Sequence, residues 1–364
     1  MQLTAGIALL GHGTVGEAVA QRLERDADTI ERRTGVRCVL RGVATRRTGD
    51  ARALIDDPRV DIVIEAVGGT GEAAEYVERA LDRGRHVISA NKDLIATQGP
   101  RLIALAASRG VCLRYEAAAC SAIPVVRTLH EALAGDHVFA VAGVLNGTTT
   151  SILSAMEAGA EYDVALADAQ HAGYAEADPS SDVEGTDAAH KLALLLQLAF
   201  ESAIISPRLR RAGISATTRA NAERAVSLGY RIRLVAAALR TPQGAFAELA
   251  PVLVAQEHPF AKTGGVENVV RIDARDAGTL WLSGLGAGGA ASASPILGDL
   301  ITLLHAIAQH PEHGAALIPR FEPAIEIAPF FDRLSRRSEL PQYPIWNDEL
   351  LDERNFCHEH YATT

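Results

Sequence analysis

The sequence feature that most constrains the fold is a set of three closely spaced glycines near the N-terminus. They follow the apolar residues Ile7–Leu10, which predict a strand, and precede Val15–Arg25, which predicts a helix. The residues of the turn are Gly11, Gly13, Thr14, Val15 and Gly16. Glycines here permit a tight turn, close approach of the backbone to a pyrophosphate, and close packing of helix on strand. The N–H groups and the helix dipole favour phosphate. We therefore predict a dinucleotide-binding turn rather than a merely tight connection.

Short apolar runs alternate with amphipathic runs through residues 1–125, which is typical of a parallel α/β sheet. The further strands predicted here are Val36–Ala44, Val60–Ala66 (closed by Gly68 and Gly69), His86–Ser89 and Val111–Tyr115. The further helices predicted here are Ala73–Arg83 and Leu102–Ser108. We predict an α/β fold in which an N-terminal Rossmann domain, a doubly wound parallel sheet, spans residues 1–135.

The pattern becomes mixed after Asp136. The predicted strands are Val138–Leu145, Phe246–Val254 and Val266–Ile272, and the predicted helices are Thr148–Glu157, Asp163–His171, Asp187–Phe200 and Leu297–Gln309. We expect a second, α+β domain over residues 136–289 that serves substrate binding and dimerisation. Residues 290–316 are expected to complete the first domain. Residues 317–364 form an extension with no predicted fold, which could stabilise a dimer or cover the cofactor cleft.

Composition limits the partners of the chain. With 364 residues, 48% hydrophobic and 22% charged, the chain fits two globular domains. A net charge of −10 argues against nucleic-acid or anionic membrane surfaces. The longest apolar stretches, such as Leu192–Phe200, fall short of the roughly 20 residues of a membrane span. Four separated cysteines, Cys38, Cys112, Cys120 and Cys357, predict free thiols in the cytoplasm and no cysteine-based zinc site.

The end of the second strand bears on the type of nicotinamide cofactor. An NAD site usually has Asp or Glu there, whereas an arginine accommodates the 2′-phosphate of NADP. This strand runs into Thr45, Arg46 and Arg47, with no carboxylate. Because arginine suits bidentate phosphate contact, we favour NADP, with NAD possible. The alternative is that both arginines simply solvate a loop.

The strand His86–Ser89 leads into Asn91 and Lys92. Ligands of doubly wound sheets bind outside the carboxyl ends of strands. Lys92 could therefore reach a substrate carboxylate or carbonyl oxygen, although a lysine considered by itself is more often a solvated surface residue.

A segment rich in carboxylates, from Gly173 to Asp187, precedes an apolar helix. Asp187 and Lys191 are four residues apart on one helical face, close enough to pair. Beside an apolar core such a pair is either a costly structural feature or a functional one. His190 points elsewhere and is expected to be structural. The carboxylates lack the alternating spacing of a calcium site, so a divalent-metal loop is disfavoured.

Four blocks in this order resemble the homoserine dehydrogenase family. They are the glycine turn, Ser89–Lys92, Gly143–Thr149, and the segment from Gly173 to Lys191. A later glycine-rich block, Gly284–Gly289, is similar as well and includes Gly286. The resemblance covers residues 5 to 315. It implies reversible reduction of L-aspartate 4-semialdehyde to L-homoserine by hydride from the nicotinamide, in amino-acid biosynthesis (threonine, methionine), by a homodimer.

The resemblance also implies residue roles. Lys191, Lys92 and Asp187 would be catalytic, with both lysines at the reacting oxygen and Asp187 orienting Lys191. The substrate would be bound by Glu176 (through its ammonium group), Tyr174, Asn146, Gly147, Thr148 and Asp182. The cofactor would contact Gly11, Gly13, Thr14, Val15, Gly16, Arg46, Arg47, Gly68, Ser89, Asn91 and Gly286. A monovalent cation, Na⁺ or K⁺, would be held by Glu116 and by backbone carbonyls near Ala119, Ser121 and Ile123. Charge that develops on the aldehyde oxygen suits an adjacent ammonium group.

The chain departs from the family pattern in three places. Ala119–Ala122 replaces a glycine-rich run, so side chains there are expected to crowd the nicotinamide or alter the cation loop. Thr150 and Ser151 follow the Asn146–Thr149 block where Asn is usual. The tail after residue 316 does not resemble a regulatory ACT domain. Cys120 is more simply a small buried residue than a reactive thiol.

Two alternatives remain open at this point. One is a paralogous dehydrogenase acting on a related short amino-acid aldehyde or alcohol. The other is a protein that senses NADP(H) without turnover, although simple binding would not need Lys92, Glu176, Asp187 and Lys191 together.

Overall fold

The computed structural model describes residues 3–176, 178–202, 209–242, 244–309, 327–337 and 339–351. The chain divides into two compact units. The first unit combines Met1–Val126 with Ala287–Phe321, and the second combines Arg127–Gly286 with Glu322–Thr364. The sequence-based boundaries lie near residues 135 and 290. The predicted extension, 317–364, is described only at 327–337 and 339–351, and that described part falls in the second unit.

The first unit contains a five-stranded parallel sheet with the strand order β2-β1-β3-β4-β5. The strands are β1 (Leu3–Leu10), β2 (Val36–Ala44), β3 (Ile62–Glu65), β4 (His86–Ser89) and β5 (Leu113–Arg114). Leu10 is in register with both Ala44 and Glu65, and Glu65 is in register with Ser89. Four strands therefore end side by side, so that the loops that follow them begin along one edge of the sheet.

Helices cover both faces of this sheet. They are α1 (Thr14–Arg25), α2 (Ala27–Thr34), α3 (Ala51–Asp56), α4 (Glu72–Asp82), α5 (Lys92–Arg109), α6 (Glu116–Cys120) and the last helix, α14 (Gly289–Gln309), while α7 (Val125–Arg127) follows α6 along the chain. Leu9 packs in the apolar cluster of α1, α2 and α14, whereas its neighbours Ala8 and Leu10 pack in the cluster of α3, α4 and α5. Because side chains alternate along a strand, both faces are buried, as a doubly wound fold requires.

Two predicted helix starts are wrong. The helix expected at Leu102–Ser108 begins ten residues earlier, at Lys92, and the one expected at Leu297–Gln309 begins at Gly289. Each contains a proline, Pro100 or Pro295, that interrupts the apolar pattern. Proline disfavours a helix interior, but buried side chains on both sides of each proline hold the longer helices in place.

Among the described residues, α14 is the one helix long and apolar enough by length and composition to cross a membrane. No uninterrupted apolar run marks this helix in the sequence, because glycine and serine residues interrupt its apolar residues. Its side chains Ala293, Ile296, Leu300 and Leu304 are buried against the sheet and helices of the first unit. The helix is thus a core element of that unit.

The second unit contains a seven-stranded mixed sheet with the order β11-β10-β6-β8-β9-β12, and β7 also pairs with β9. Its strands are β6 (Val138–Val144), β7 (Arg210–Arg211), β8 (Tyr230–Thr241), β9 (Gly244–Ala255), β10 (Glu267–Ala274), β11 (Gly278–Leu285) and β12 (Ile327–Ala328). The helices are α8 (Gly147–Glu157), α9 (Tyr162–His171), α10 (Ser180–Val183), α11 (Thr186–Ala199), α12 (Arg219–Ser227) and α13 (Pro259–Lys262). The predicted fold class, a Rossmann-like parallel sheet with a second α+β unit, is confirmed.

The described part of the C-terminal extension packs on the sheet of the second unit. Phe330, Phe331 and Trp346 join an apolar cluster with β6, β8 and β9. The backbone N–H of Trp346 donates to the Leu253 carbonyl at 2.8 Å. Beyond β12, two short strands, β13 (Arg336–Arg337) and β14 (Leu340–Pro344), form a hairpin. These residues therefore form part of the hydrophobic core of that unit.

Candidate functional site

The glycine turn lies at the carboxyl edge of the first unit's sheet, between β1 and α1. Gly11 has φ +92° and donates its N–H to the Ala44 carbonyl at 2.8 Å. A Cβ atom at Gly11 would lie 2.3 Å from the Ala66 carbonyl oxygen, and one at Gly16 would lie 2.1 Å from that of Gly11. A Cβ at Gly13 would meet no atom within 4 Å. Gly11 and Gly16 thus keep the turn tight, while Gly13 opens to a space in which a pyrophosphate can approach.

A cavity of about 1020 Å³ adjoins this turn. Its lining includes Gly11, Gly13, Arg46, Arg47, Arg52, Glu72 and Tyr76. Arg46 lies 3.8 Å from a Glu72 oxygen, and Arg52 pairs with Glu75 at 2.8 Å. Arg52, at the start of α3, was not predicted from the sequence, because its approach to the cavity depends on how α3 packs. A cavity with three guanidinium groups is suited to a phosphate-bearing ribose.

The loop after β4 places Asn91 and Lys92. Asn91 caps α5 by accepting from the Leu94 N–H at 3.1 Å, and its side-chain amide donates to the Gly69 carbonyl at 2.7 Å. Lys92 is the first residue of α5, and its side chain is about one-third exposed. Ser89 is buried and donates to Glu65, a buried carboxylate at the end of β3, at 2.6 Å. Glu65 was not predicted as a site residue, although a glutamate that ends an otherwise apolar strand is a signal in the sequence.

The second unit contains a buried ion pair on α11. Lys191 Nζ lies 2.9 Å from Asp187 Oδ2 and donates to the Leu145 carbonyl at 2.8 Å. Both residues are less than a tenth exposed. The pairing expected from their spacing is therefore present, and the helix directs the ammonium group to the loop that follows β6.

Asn146 connects this pair to a second carboxylate. Its side-chain NH₂ group donates to Asp182 at 2.7 Å and to Asp187 at 3.0 Å, while its side-chain oxygen caps α8 by accepting from the Thr149 backbone N–H at 2.8 Å. Burial raises the pKa of Asp182 despite the hydrogen bond from Asn146. Together with Lys191, these residues form a cluster, called here the α11 polar cluster: Asn146, Asp182, Asp187 and Lys191.

The remaining substrate residues lie around this cluster with different exposures. Thr148 donates to the backbone carbonyl of Tyr174 at 2.6 Å, whereas the Tyr174 side chain is 43% exposed. The side chain of Glu176 is also exposed, and its carbonyl accepts from Gln170. Gly147 packs so closely on Val266 that a Cβ would lie 2.6 Å from its backbone. Thr148 and Gly147 therefore fix the backbone, and Tyr174 and Glu176 present side chains to solvent.

The segment expected to hold a cation includes α6 and the turn after it. Glu116 is 2% exposed, and its carboxylate accepts from the Val126 N–H at 2.8 Å. Ala119 and Ile123 are buried, and the Ile123 carbonyl accepts from Val125 N–H at 2.8 Å. Across the described ranges no group of three or more His, Cys, Asp or Glu side chains is arranged for a metal ion. A cation here would therefore depend mainly on backbone carbonyls.

The turn after α6 is strained at Ser121. Its φ of 50° with ψ of −113° is a conformation that favours glycine. The backbone therefore keeps the shape expected of a glycine run although the residue is serine, and the Ser121 hydroxyl lies 3.0 Å from that of Ser292 on α14. Cys120 is fully buried, which agrees with a small packing residue.

Gly286 directly follows β11 and packs against Asn268 on β10. A Cβ there would lie 2.3 Å from the Asn268 side chain, and the Gly286 N–H donates to the Val266 carbonyl at 2.9 Å. Close packing in the second unit thus requires this glycine.

The parallel sheet, the glycine turn and its cavity define a protein of the Rossmann-type dinucleotide-binding class. Two family models match the chain: homoserine dehydrogenase, NAD binding domain, at residues 11–116, and homoserine dehydrogenase at residues 124–301. The homoserine dehydrogenase of Mycobacterium tuberculosis is 43% identical over 81% of this chain and 71% of its own length. The chain belongs to the homoserine dehydrogenase family.

Solved structures agree with this assignment. A homoserine dehydrogenase from Thiobacillus denitrificans matches with a TM-score of 0.86 and 34% identity, covering 91% of this chain and 81% of its own. A hyperthermophilic archaeal homoserine dehydrogenase in complex with NADPH shares the fold, with a TM-score of 0.71 and 24% identity, covering 82% and 97% of the two chains. The predicted family is confirmed, and neither the paralogue nor the sensor is favoured.

Proposed function

We propose that the protein interconverts L-aspartate 4-semialdehyde and L-homoserine with NADP(H), a step of amino-acid biosynthesis. The observation that carries this proposal is the α11 polar cluster, in which a buried ammonium group is held by Asp187 and the Leu145 carbonyl. NADPH supplies, when bound, the hydride that the aldehyde carbon accepts. An ammonium group close to the aldehyde oxygen stabilises the charge that develops there.

Lys191 acts as the proton donor in reduction. As the C=O bond becomes a C–O bond, one N–H bond of Lys191 breaks and its proton moves to the oxygen. In the reverse direction the neutral amine accepts the hydroxyl proton. Asp187 holds Lys191 in place from one helical turn away, and the family resemblance assigns a second ammonium group to Lys92.

The use of lysine in this chain supports these roles. The chain has only three lysines, Lys92, Lys191 and Lys262, and uses arginine at its other basic positions. Arginine stays protonated at any pH a protein experiences, whereas lysine can donate and regain a proton. The proposal therefore assigns two of the three lysines, Lys92 and Lys191, to the reacting oxygen.

The amino-acid end of the substrate is assigned to the residues around the cluster. Glu176 binds the substrate ammonium group, and its exposed carboxylate is available for that contact. Tyr174, Asn146, Gly147 and Thr148 surround the remaining polar atoms, and Asp182 contributes a further acceptor. The attraction between the Glu176 carboxylate and the substrate ammonium group gives the site its preference for an amino-acid aldehyde over an aldehyde that has no ammonium group.

The preference for NADP rests on the arginines of the large cavity. Arg46 and Arg47 lie in the loop after β2, and Arg52 adds a third guanidinium group. Asp50, the first carboxylate after β2, instead accepts from Arg52 N–H at 2.9 Å. Gly11, Gly13, Thr14, Val15, Gly16 and Gly68, with Ser89, Asn91 and Gly286, are assigned to the rest of the cofactor. A lower KM for NADH than for NADPH would contradict the assignment.

The test of the reaction follows NADPH absorbance at 340 nm with L-aspartate 4-semialdehyde as the substrate. Lys191→Ala is expected to lose at least 99% of kcat while binding NADPH normally, since proton transfer of this kind contributes about 100-fold or more. Lys262→Ala is the matched control, because this third lysine is 61% exposed and pairs with Glu257. Turnover in Lys191→Ala equal to that of Lys262→Ala would reject the proposal.

A monovalent cation, Na⁺ or K⁺, is the second part of the proposal. The carboxylate of Glu116 and the carbonyls of Ala119, Ser121 and Ile123 would hold it, and the strained Ser121 sets the direction of that carbonyl. Protein dialysed into choline chloride should gain thermal stability on adding KCl or NaCl, measured against added choline chloride. The same gain in Glu116→Gln would contradict the assignment.

The protein is further proposed to act in the cytoplasm as a homodimer that associates through the second unit. Strand β11 lies at a sheet edge and exposes Trp281 and Leu285, which are 37% and 48% exposed. Exposed apolar edge strands pair readily with another chain. Light scattering after gel filtration should give twice the chain mass, and Trp281→Glu should give one chain mass. Cell fractionation tests the location: the protein should be recovered with the cytoplasmic fraction.

A further inference from the structure

Glu65, the last residue of β3, is a carboxylate with no exposed surface. One of its oxygens, Oε1, accepts from the backbone N–H groups of Val67 at 2.8 Å and Gly68 at 3.2 Å. The other, Oε2, accepts from the Ser89 hydroxyl at 2.6 Å. A single side chain thus binds the loop after β3 and the end of β4.

Asn91 extends this connection to Lys92. Its side-chain amide lies 3.4 Å from Glu65 Oε1 and donates to the Gly69 carbonyl at 2.7 Å. Its backbone N–H donates to the Ser89 hydroxyl at 3.1 Å, and its side-chain oxygen caps the helix that starts with Lys92. Gly68 and Gly69 both have positive φ, at 78° and 72°. The carboxylate therefore fixes two adjacent loops, one with an uncommon backbone shape and one that begins at Lys92.

A buried carboxyl group is a costly way to hold two loops, because burying it is unfavourable unless its oxygens are hydrogen-bonded. Neutral side chains or solvent can also satisfy loop amides, so the hydrogen bonds of these loops alone do not require a carboxyl group here. Hydrogen bonds to a charged acceptor are shorter and stronger than neutral ones, and they hold their donors more rigidly. The location, at the carboxyl edge of a parallel sheet, is where ligands of such folds bind.

We propose that Glu65 is a positioning residue: its buried carboxylate holds the Val67–Gly69 loop in the shape that binds the cofactor and holds Lys92 in the orientation used in the reaction. The part that concerns Lys92 rests on the proposed function. The part that concerns the cofactor does not, because binding can be measured without turnover.

Glu65→Gln is the informative variant because it keeps the size and one acceptor oxygen. Its NH₂ group must face either the two backbone N–H groups, which then lose their acceptor, or the Ser89 hydroxyl, which then accepts instead of donating. In both cases the carboxylate that holds the two loops is lost. Asp61→Asn is the matched control, because Asp61 lies just before the opposite end of β3 and accepts from the Gly6 N–H at 2.7 Å. We expect Glu65→Gln to raise the Kd for NADPH at least fivefold and to lower kcat at least tenfold. Asp61→Asn should change both by less than twofold.

A double-mutant cycle separates positioning from general loss of structure. If Glu65 acts through Lys92, Glu65→Gln should lower kcat at least tenfold in the wild type and less than twofold in a Lys92→Ala background. An equal loss in both backgrounds, or an unchanged kcat and Kd in Glu65→Gln, would overturn the proposal. If Glu65→Gln does not fold, Ser89→Ala, which removes one hydrogen bond to Glu65, replaces it in the same cycle. One further outcome separates the two proposals. If the wild type shows no turnover while Glu65→Gln binds NADPH more weakly than the wild type, the proposed reaction is contradicted and the cofactor role of Glu65 is supported.

Discussion

The Asp187–Lys191 pair gives a prediction whose magnitude follows from the structure. Their charged atoms lie 2.9 Å apart, and the side chains are 12% and 10% exposed. At the effective dielectric constant of about 20 that suits protein sites, this distance corresponds to an attraction of about 6 kcal/mol before desolvation is subtracted. Asp187→Asn removes that attraction and sets an amide against the Lys191 ammonium group. Because the lysine keeps its bond to the Leu145 carbonyl and some exposure, we expect a loss of about 3 kcal/mol, the lower end for a broken buried pair.

Urea unfolding measures this loss, and NADPH oxidation measures its effect on turnover, where we expect a fall of about 100-fold as Lys191 loses its orientation. Glu257→Gln is the control, because the Lys262–Glu257 pair has a similar distance, 3.0 Å, but is 61% and 93% exposed. Exposed pairs contribute at most about 1 kcal/mol. If Asp187→Asn destabilises the protein no more than Glu257→Gln does, the pair is not buried as described and the reasoning fails.

Three further predictions concern stability. Ser121→Gly should be about 1 kcal/mol more stable to urea than Ser121→Ala, because glycine relieves the backbone strain that alanine keeps; equal stabilities would contradict the strain. Burial raises the pKa of Asp182, so its ionisation costs stability that is regained as pH falls through the raised pKa; Asp182→Asn should therefore melt higher than wild type at pH 7 while losing activity, and a lower melting temperature would oppose this. Burial alone would raise the pKa of Asp348, but the hydrogen bond from His258 and the charge of Arg271 lower it. The contribution of Asp348 to stability is therefore present above the unfolded pKa near 4 and is lost as pH falls through the lower folded pKa. Asp348→Asn should make the melting temperature depend less on pH between pH 5 and 3, and an unchanged slope of melting temperature against pH would refute this.

Local patterns were enough to predict much of the first unit and of the site. The glycine turn, the strands Val36–Ala44 and His86–Ser89, and the spacing of Asp187 and Lys191 depend on neighbours a few residues away. The parallel arrangement of these strands follows from the same alternation of strands and helices, whereas their order, β2-β1-β3-β4-β5, was not predicted.

Features that depend on distant contacts were not predictable in this way. The role of Glu65 depends on Ser89 and Asn91, more than twenty residues away, and that of Arg52 on its approach to the cavity beside the glycine turn. The C-terminal residues show no hydrophobic periodicity that predicts a helix or strand. Phe330 and Trp346 are held instead by packing on strands that lie far earlier in the chain. The early starts of α5 and α14 were hidden by prolines that tertiary packing tolerates.

The most direct test of the account is the mass of the product formed with deuterated cofactor. NADPH that carries deuterium at the transferred C4 position is incubated with L-aspartate 4-semialdehyde, and the product is analysed by mass spectrometry. The account predicts L-homoserine with one deuterium on its C4, formed by wild type and by Lys262→Ala, and formed at least 100-fold more slowly by Lys191→Ala. Absence of homoserine with the wild-type protein, or homoserine without deuterium, would contradict hydride transfer at this site.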